Sequence, residues 1–333
     1  YLPSDFADSA AASNANSIFD ATWRELQRTR GVTASMSLPI KTRHFLGFSY
    51  HFERRTRESS ISYWQDGEAI EEFPTDIVNR YELLAQSELN RGCYAQGRAG
   101  QCDFAWVELG YSYSHTRWFP YSVSNEHGKS IGVSAAYYSK ALGGDFDEFL
   151  LNFDGSLYIN NPLFDNHVLW LRTRGAIALG PDYEETFLLG GTYANSIFTA
   201  TTARTFPLRG FSLTEAEQKT GVLAAYMEYR FPIWHIERGL WTLPVYFERL
   251  SAALFMEGGN SFGNTEDTSL KKVVDKGWRR LLGGKASVGA EVRASIKLGW
   301  AFPLLMRFGA AWPVVDNGHL RSVSPEWIVS LGL

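Results

Sequence analysis

The chain has 333 residues, with 32 Lys+Arg against 36 Asp+Glu and a net charge of −4. The missing basic excess argues against a nucleic-acid partner, and 45% hydrophobic residues argue against a disordered chain. Aromatics at 15% and 30 glycines point to an all-β protein, and a mean hydropathy of −0.20 does not exclude a membrane barrel, whose alternating strands average out.

Residues 1–30 read as an N-terminal loop or linker, Ala/Ser/Asn-rich at first and without clean alternation from Ile18 onward. No basic-then-apolar leader opens the chain, so either one was removed or the chain starts part-way through a longer protein. No apolar run is long enough for a transmembrane helix.

From residue 31 the pattern has period two. Gly31–Leu38 aligns Val32, Ala34, Met36 and Leu38 on one face, and His44–Arg54 aligns Leu46, Phe48, Tyr50 and Phe52. Phe104–Trp118, Lys129–Lys140, Glu148–Asn160 and His167–Leu179 continue it. Gly221–Ile233, Tyr246–Gly259, Ala286–Leu298, Leu304–Trp312 and Glu326–Leu333 close the chain. These eleven segments are read as part of a barrel with about twelve strands in this chain, most of them far longer than the five or six residues of a globular strand.

Length decides the class, because a membrane-crossing strand needs about 9–11 residues. The polar faces carry charges in mid-strand, such as Glu291, Arg293 and Lys297. Such a face fits a wet barrel interior, with the apolar face turned to lipid. Residues 31–333 are therefore expected to form a transmembrane antiparallel β-barrel. Short connections follow Leu38, Asn160 and Leu298, while residues 57–103, 180–220 and 260–285 form long loops. That alternation is the outer-membrane pattern, with the long loops extracellular. Pro232–Pro244 is the exception, a wider turn on the periplasmic side. Trp118, Phe119, Tyr121, Trp234, Trp241, Trp300, Phe302, Trp312 and Trp327 collect near strand ends, as interfacial girdles do. Cys93 and Cys102 bracket a polar segment and are expected to form a small disulfide; two free thiols are the alternative.

One long loop holds Phe187-Leu188-Leu189-Gly190-Gly191 and then Leu208-Arg209-Gly210-Phe211. The next strand reads Glu228-Tyr229-Arg230-Phe231-Pro232, followed by Phe255-Met256-Glu257-Gly258-Gly259 and Ser287-Val288-Gly289-Ala290-Glu291-Val292-Arg293. In order and spacing these segments resemble the BamA/TamA/FhaC superfamily of outer-membrane insertases and transporters (the bacterial surface antigen family). The resemblance covers residues 187–333, with Glu257 where the family has Asp. It implies a barrel of sixteen strands, so either four strands lie upstream or this barrel closes with twelve. It also implies that Arg209 docks inside the lumen on Glu228 and Glu257. Physically, Arg209 offers a planar fork that pairs bidentately with carboxylates. Gly210 allows close approach, and Phe211 adds an apolar contact.

By the same resemblance, the function is inserting or translocating polypeptides at the outer membrane of a Gram-negative-type bacterium. The implied partners are outer-membrane lipids, lipopolysaccharide, and a client polypeptide or accessory subunits. A structural barrel or passive pore is the alternative. The seven histidines have no metal spacing, and G-x-S-x-G is absent, so no enzyme activity, metal or cofactor is expected. The family's periplasmic modules have no counterpart in these residues. The short last strand, opening after Pro325, is expected to make a weak seam with the first.

Overall fold

The computed structural model describes residues 21–65, 68–69, 101–119, 121–180, 187–190, 205–211, 215, 217–263, 284–299, 302–316, 318–321 and 324–332, with the backbone alone at 21–29, 55–65, 68–69, 101 and 218. Eleven long strands follow one another: β1 (Ala21–Lys41), β2 (His44–Gln65), β3 (Gln101–Arg117), β4 (His127–Tyr138), β5 (Glu148–Asn160), β6 (Val168–Leu179), β7 (Gly221–Gly239), β8 (Val245–Phe262), β9 (Lys285–Leu298), β10 (Phe302–Asp316) and β11 (Glu326–Gly332). Each pairs antiparallel with its sequence neighbour in a single sheet. Two-residue strands at Glu68–Ala69 and His319–Leu320 bring the sheet to thirteen. Among the described residues, β1 pairs only with β2 among the long strands, and β11 only with β10. No pairing between first and last strand is seen there.

The wall is turned inside out relative to a soluble sheet. Val32 is 69% exposed and Phe308 62%, and Met36, Leu109, Ile131, Leu254 and Val329 share that outward parity. Glu228, Glu257, Glu291, Arg293 and Arg307 face inward and are buried. This is the distribution a lipid-facing barrel requires. Connections alternate as well. β1, β3, β5, β7 and β9 end in short turns at one rim, and β2, β4, β6, β8 and β10 end at the other. Trp118, Phe119, Tyr121, Trp234, Trp241 and Phe302 are exposed at the short-turn rim, and Trp312 and Trp327 toward the other. Trp300 lies outside the described residues.

Three boundaries differ from expectation. The first strand opens at Ala21 rather than near residue 31, because Ala21–Arg30 pairs with Arg54–Tyr63 as a continuation of the β1–β2 hairpin. Charged residues at both odd and even positions of the sequence there (Arg24, Glu25 and Arg28) hide the alternation. The 57–103 loop shrinks accordingly, since β2 runs to Gln65 and β3 starts at Gln101. The wide turn at Pro232–Pro244 is not a turn over most of its length: β7 passes through Pro232 to Gly239. Register shifts at Pro232/Trp234 and His235/Arg238 absorb the missing proline donor.

Within 180–220, three short strands form a separate sheet inside the barrel: Phe187–Leu189, Thr205–Phe206 and Glu217–Lys219. Phe187, Leu189, Phe206, Leu208 and Phe211 from this insert pack on Trp170, Ala176, Ala178, Val222, Ala224 and Tyr226 of the wall. Among the described residues, the larger apolar cluster therefore lies between loop and lumen wall.

Candidate functional site

Strands β7, β8 and β9 present charged side chains inward where the insert docks. Glu228 stands opposite Phe255, and Phe255 opposite Gly289. A side chain at position 289 would meet the Phe255 ring at 2.3 Å. Glycine there lets the ring lie flat along the wall. On that ring sits the Arg209 guanidinium, 3.5 Å from its centroid, a cation–π contact in a dry setting. Gly289 and Phe255 together make the floor of the site.

Arg209 is 2% exposed. Its backbone N–H donates to Glu257 Oε2 at 2.8 Å, and its Nε to Glu257 Oε1 at 2.7 Å. Nη2 donates to Glu228 Oε1 at 2.6 Å and to Glu257, and Nη1 to Glu291 Oε2 at 3.1 Å. One fork thus meets carboxylates from three adjacent strands. Two further guanidiniums complete the set. Arg230 Nε donates to Glu228 Oε2 at 2.7 Å, Arg293 Nη2 to the same oxygen at 2.9 Å, and Arg293 Nε to Glu291. Within this bonded group three arginines balance three glutamates, and Arg307 of β10 lies buried opposite Arg293 beside it. That balance is what makes ion burial tolerable, since an isolated buried charge costs several kcal/mol.

The backbone of the loop is adapted to this docking. Gly210 has φ 85°, in the left-handed region, and a Cβ there would approach Ala311 Cβ to 3.1 Å. Leu208 and Phe211, on either side, are fully buried, and Lys285 Nζ lies 5.0 Å from the Phe211 ring. Gly259 leaves room for Leu189, which a Cβ would meet at 2.8 Å. Upstream, Arg174 stacks on Phe206 at 4.7 Å and donates to the Thr205 carbonyl at 3.4 Å.

Leu208, Arg209, Gly210, Phe211, Glu228, Glu257, Phe255, Gly259, Gly289 and Arg293 therefore converge on one part of the wall. Glu291 and Arg230 were read from sequence only as inward-facing charges, not as partners of this loop. Their signal was parity: Glu291 lies two residues from both Gly289 and Arg293, on the same face. Cys102 is buried beside Phe104, Ala136, Tyr138 and Phe146, and there is no free thiol among the described residues. Cys93 lies outside them, so the Cys93–Cys102 pairing falls there too.

Two other features complete the lumen. Beneath β2–β6 lies a cavity of about 500 Å³, lined by Gly47, Glu108, Gly110, Ser112, Gly132 and Asn152 among others. At the short-turn rim the 118–126 turn reaches past β5 and β6 to the strands beyond. Arg249 of β8 donates to the Ser122 carbonyl, and His235 of β7 lies 3.2 Å from the Tyr121 carbonyl. Ser122 Oγ donates to Glu126 at 2.6 Å, which braces the turn from within.

No family model and no curated protein matches the chain by sequence. Among solved structures it is similar to BamA from Haemophilus ducreyi lacking POTRA domains 1–3, with a TM-score of 0.50, 14% identity and 92% of this chain covered. It is also similar to CdiB from Escherichia coli, with a TM-score of 0.47, 12% identity and 93% of this chain covered. The match takes in 55% of the BamA chain and 46% of the CdiB chain, so this sequence spans about half the length of each. The likeness to BamA shows the fold, an antiparallel β-barrel of the outer-membrane type, as the strand lengths and their alternation led one to expect.

Proposed function

We propose that this chain is the barrel of an outer-membrane protein that assembles or transports polypeptides in a Gram-negative-type bacterium. The observation that carries the reading is the Leu208–Phe211 loop seated inside the wall, with Arg209 on Glu228, Glu257 and Glu291. A resident loop held by a bonded group of six buried charges occupies the lumen beside β7–β9, where it narrows any steady pore. The sheet also ends at two strands with no mutual pairing among the described residues. Exposed strand edges are what a client strand can extend by hydrogen bonding. The reading involves no enzyme chemistry and no cofactor. Its partners are a client polypeptide or accessory subunits, with phospholipid and lipopolysaccharide around the wall. The Cys93–Cys102 bridge belongs to the same reading, and a mobility shift on reducing gels tests it.

Depletion of the protein from its host is the decisive experiment. The amounts of folded outer-membrane barrels and of exported polypeptides are expected to fall, and the purified barrel is expected to show no steady conductance in planar bilayers. Unchanged clients together with a constant open conductance would reject this function in favour of a passive pore. The cavity lined by Gly47, Gly110 and Gly132 is the feature that would favour that outcome.

A further inference from the structure

The lipid-facing side of β1–β4 carries an unusual group of cations at the short-turn rim. His115 lies opposite Lys129, and Arg117 opposite His127. Arg43, in the neighbouring turn, is tied to the same strand through its carbonyl, which accepts from Ser114 N at 3.2 Å. Arg43, Arg117, His127 and Lys129 all act electrostatically on His115. Arg43, Arg117, His127 and Lys129 are exposed, and none has an ion-pair partner among the described residues. Two tyrosines border the group: Tyr111, whose OH is 2.7 Å from His44 Nδ1, and Tyr113, whose ring centre is 5.9 Å from Lys129 Nζ. The same rows on β5–β7 carry no cation, with Leu157, Leu171 and Met227 in one and Ile159, Leu169 and Tyr229 in the next.

Lys129 also stands at the start of a groove on the outer surface, about 870 Å³ in volume. Its floor follows one row of facing residues across the sheet: Ile131, Gly155, Thr173, Ala225, Gly258 and Ala286. Leu157, Leu171, Met227 and Met256 stand along one side. Because the strands are staggered, the row begins near the short-turn end of β4 and finishes next to the long-loop end of β9. An amphiphile meeting this surface would find unpaired cations at the rim and an apolar furrow leading away from them into the hydrocarbon zone.

We propose that this surface binds an anionic glycerophospholipid of the periplasm-facing leaflet. Its phosphodiester rests among Arg43, His115, Arg117 and Lys129, and one acyl chain lies in the furrow. The placement rests on the outer-membrane reading above, which sets the short-turn rim toward the periplasm. Cations near a membrane surface attract anionic headgroups by about fivefold per Lys or Arg. Tyrosines at the interface and a continuous apolar track suit the remainder of the lipid.

Native mass spectrometry on the purified protein with equimolar phosphatidylglycerol and phosphatidylcholine tests the inference. Wild type is expected to retain phosphatidylglycerol at least about tenfold over phosphatidylcholine, from three cations acting together. The R43Q/R117Q/K129Q variant is expected to lose that preference, and R43K/R117K/K129R to keep it. Equal retention of both lipids by wild type, or unchanged preference in the triple Gln variant, would overturn it. Selective retention of lipid A over phosphatidylglycerol would overturn it as well. If the Gln variant does not fold, Thr173→Leu and Ala225→Leu keep every cation and fill the furrow; lipid retention should fall severalfold, and unchanged retention rejects the site. Lost lipid selectivity with normal client folding would fault this inference alone. Intact selectivity with unaffected clients would fault the assembly reading alone.

Discussion

The two sides of the lumen are built on opposite principles. In the middle of β2–β5 the inner wall is built of small residues around a cavity, with Gly47, Gly110, Ser112 and Gly132 lining open space. Along β7–β9 it is large and charged, with Glu228, Glu257, Glu291 and Arg293 buried under the Arg209 loop. Both faces alternate with outward apolar residues, so periodicity alone does not tell them apart. Glycine shows the contrast most directly. At Gly110 an added Cβ meets nothing within 4 Å, whereas at Gly289 it meets Phe255 and the Ala310 carbonyl at 2.3 Å. Inward glycine on one side leaves room for water or a ligand, and on the other it lets an aromatic ring lie flat beneath a guanidinium.

This contrast can be broken most strongly at its centre. Arg209→Ala removes the fork that three carboxylates share, leaves Glu257 without its guanidinium in a dry site and should cost about 3–5 kcal/mol of barrel stability. Urea unfolding in lipid vesicles and heat-modifiable migration on gels would register the loss. If Arg209→Ala and Glu257→Ala both behave as wild type, the loop does not hold the wall. Gly289→Ala is next: it forces Phe255 off the wall and should destabilise by about 1–3 kcal/mol through overpacking, read by the same unfolding midpoint. Arg249→Ala frees the Ser122 carbonyl from a charged donor and should cost about 1–2 kcal/mol; proteolysis within the 118–126 turn should quicken. Gly110→Ala sharpens the comparison from the other side. It enters open space in a strand and should be neutral or stabilising by up to about 1 kcal/mol. Equal losses for the two glycine variants would erase the distinction. Smallest of all, Arg54→Ala removes an exposed pair with Asp103 and should leave the midpoint unchanged.

Much of this was legible in the residues. Period-two alternation over segments too long for a soluble sheet placed the wall, because side-chain parity is a local property. The motif residues Arg209, Glu228 and Glu257 were legible through the superfamily resemblance and their inward parity. What escaped was set by contacts distant in sequence. Ala21–Arg30 is a strand because Arg54–Tyr63 lies beside it, and nothing in its own pattern reports that. Pro232 looks like a strand end until the register shift that accommodates it is seen. Glu291 became a partner of Arg209 only once three strands were laid in register, which brings its carboxylate under a loop 82 residues away.

The turn that carries Ser122 has a mechanical consequence. A hoop resists flattening only where something spans its diameter, and this wall has such a chord at its short-turn rim. Arg249 and His235 lash the β3–β4 turn to β7 and β8, so that part of the cross-section keeps its shape under load. At that same rim, the arc from β10 and β11 to β1 and β2 has no comparable tie among the described residues, its ties to the insert (Arg321 to Glu215) lying toward the other rim. Bending of the wall is therefore expected to start in that arc. Spin-label distances measured across it should be broader than those between β4 and β8.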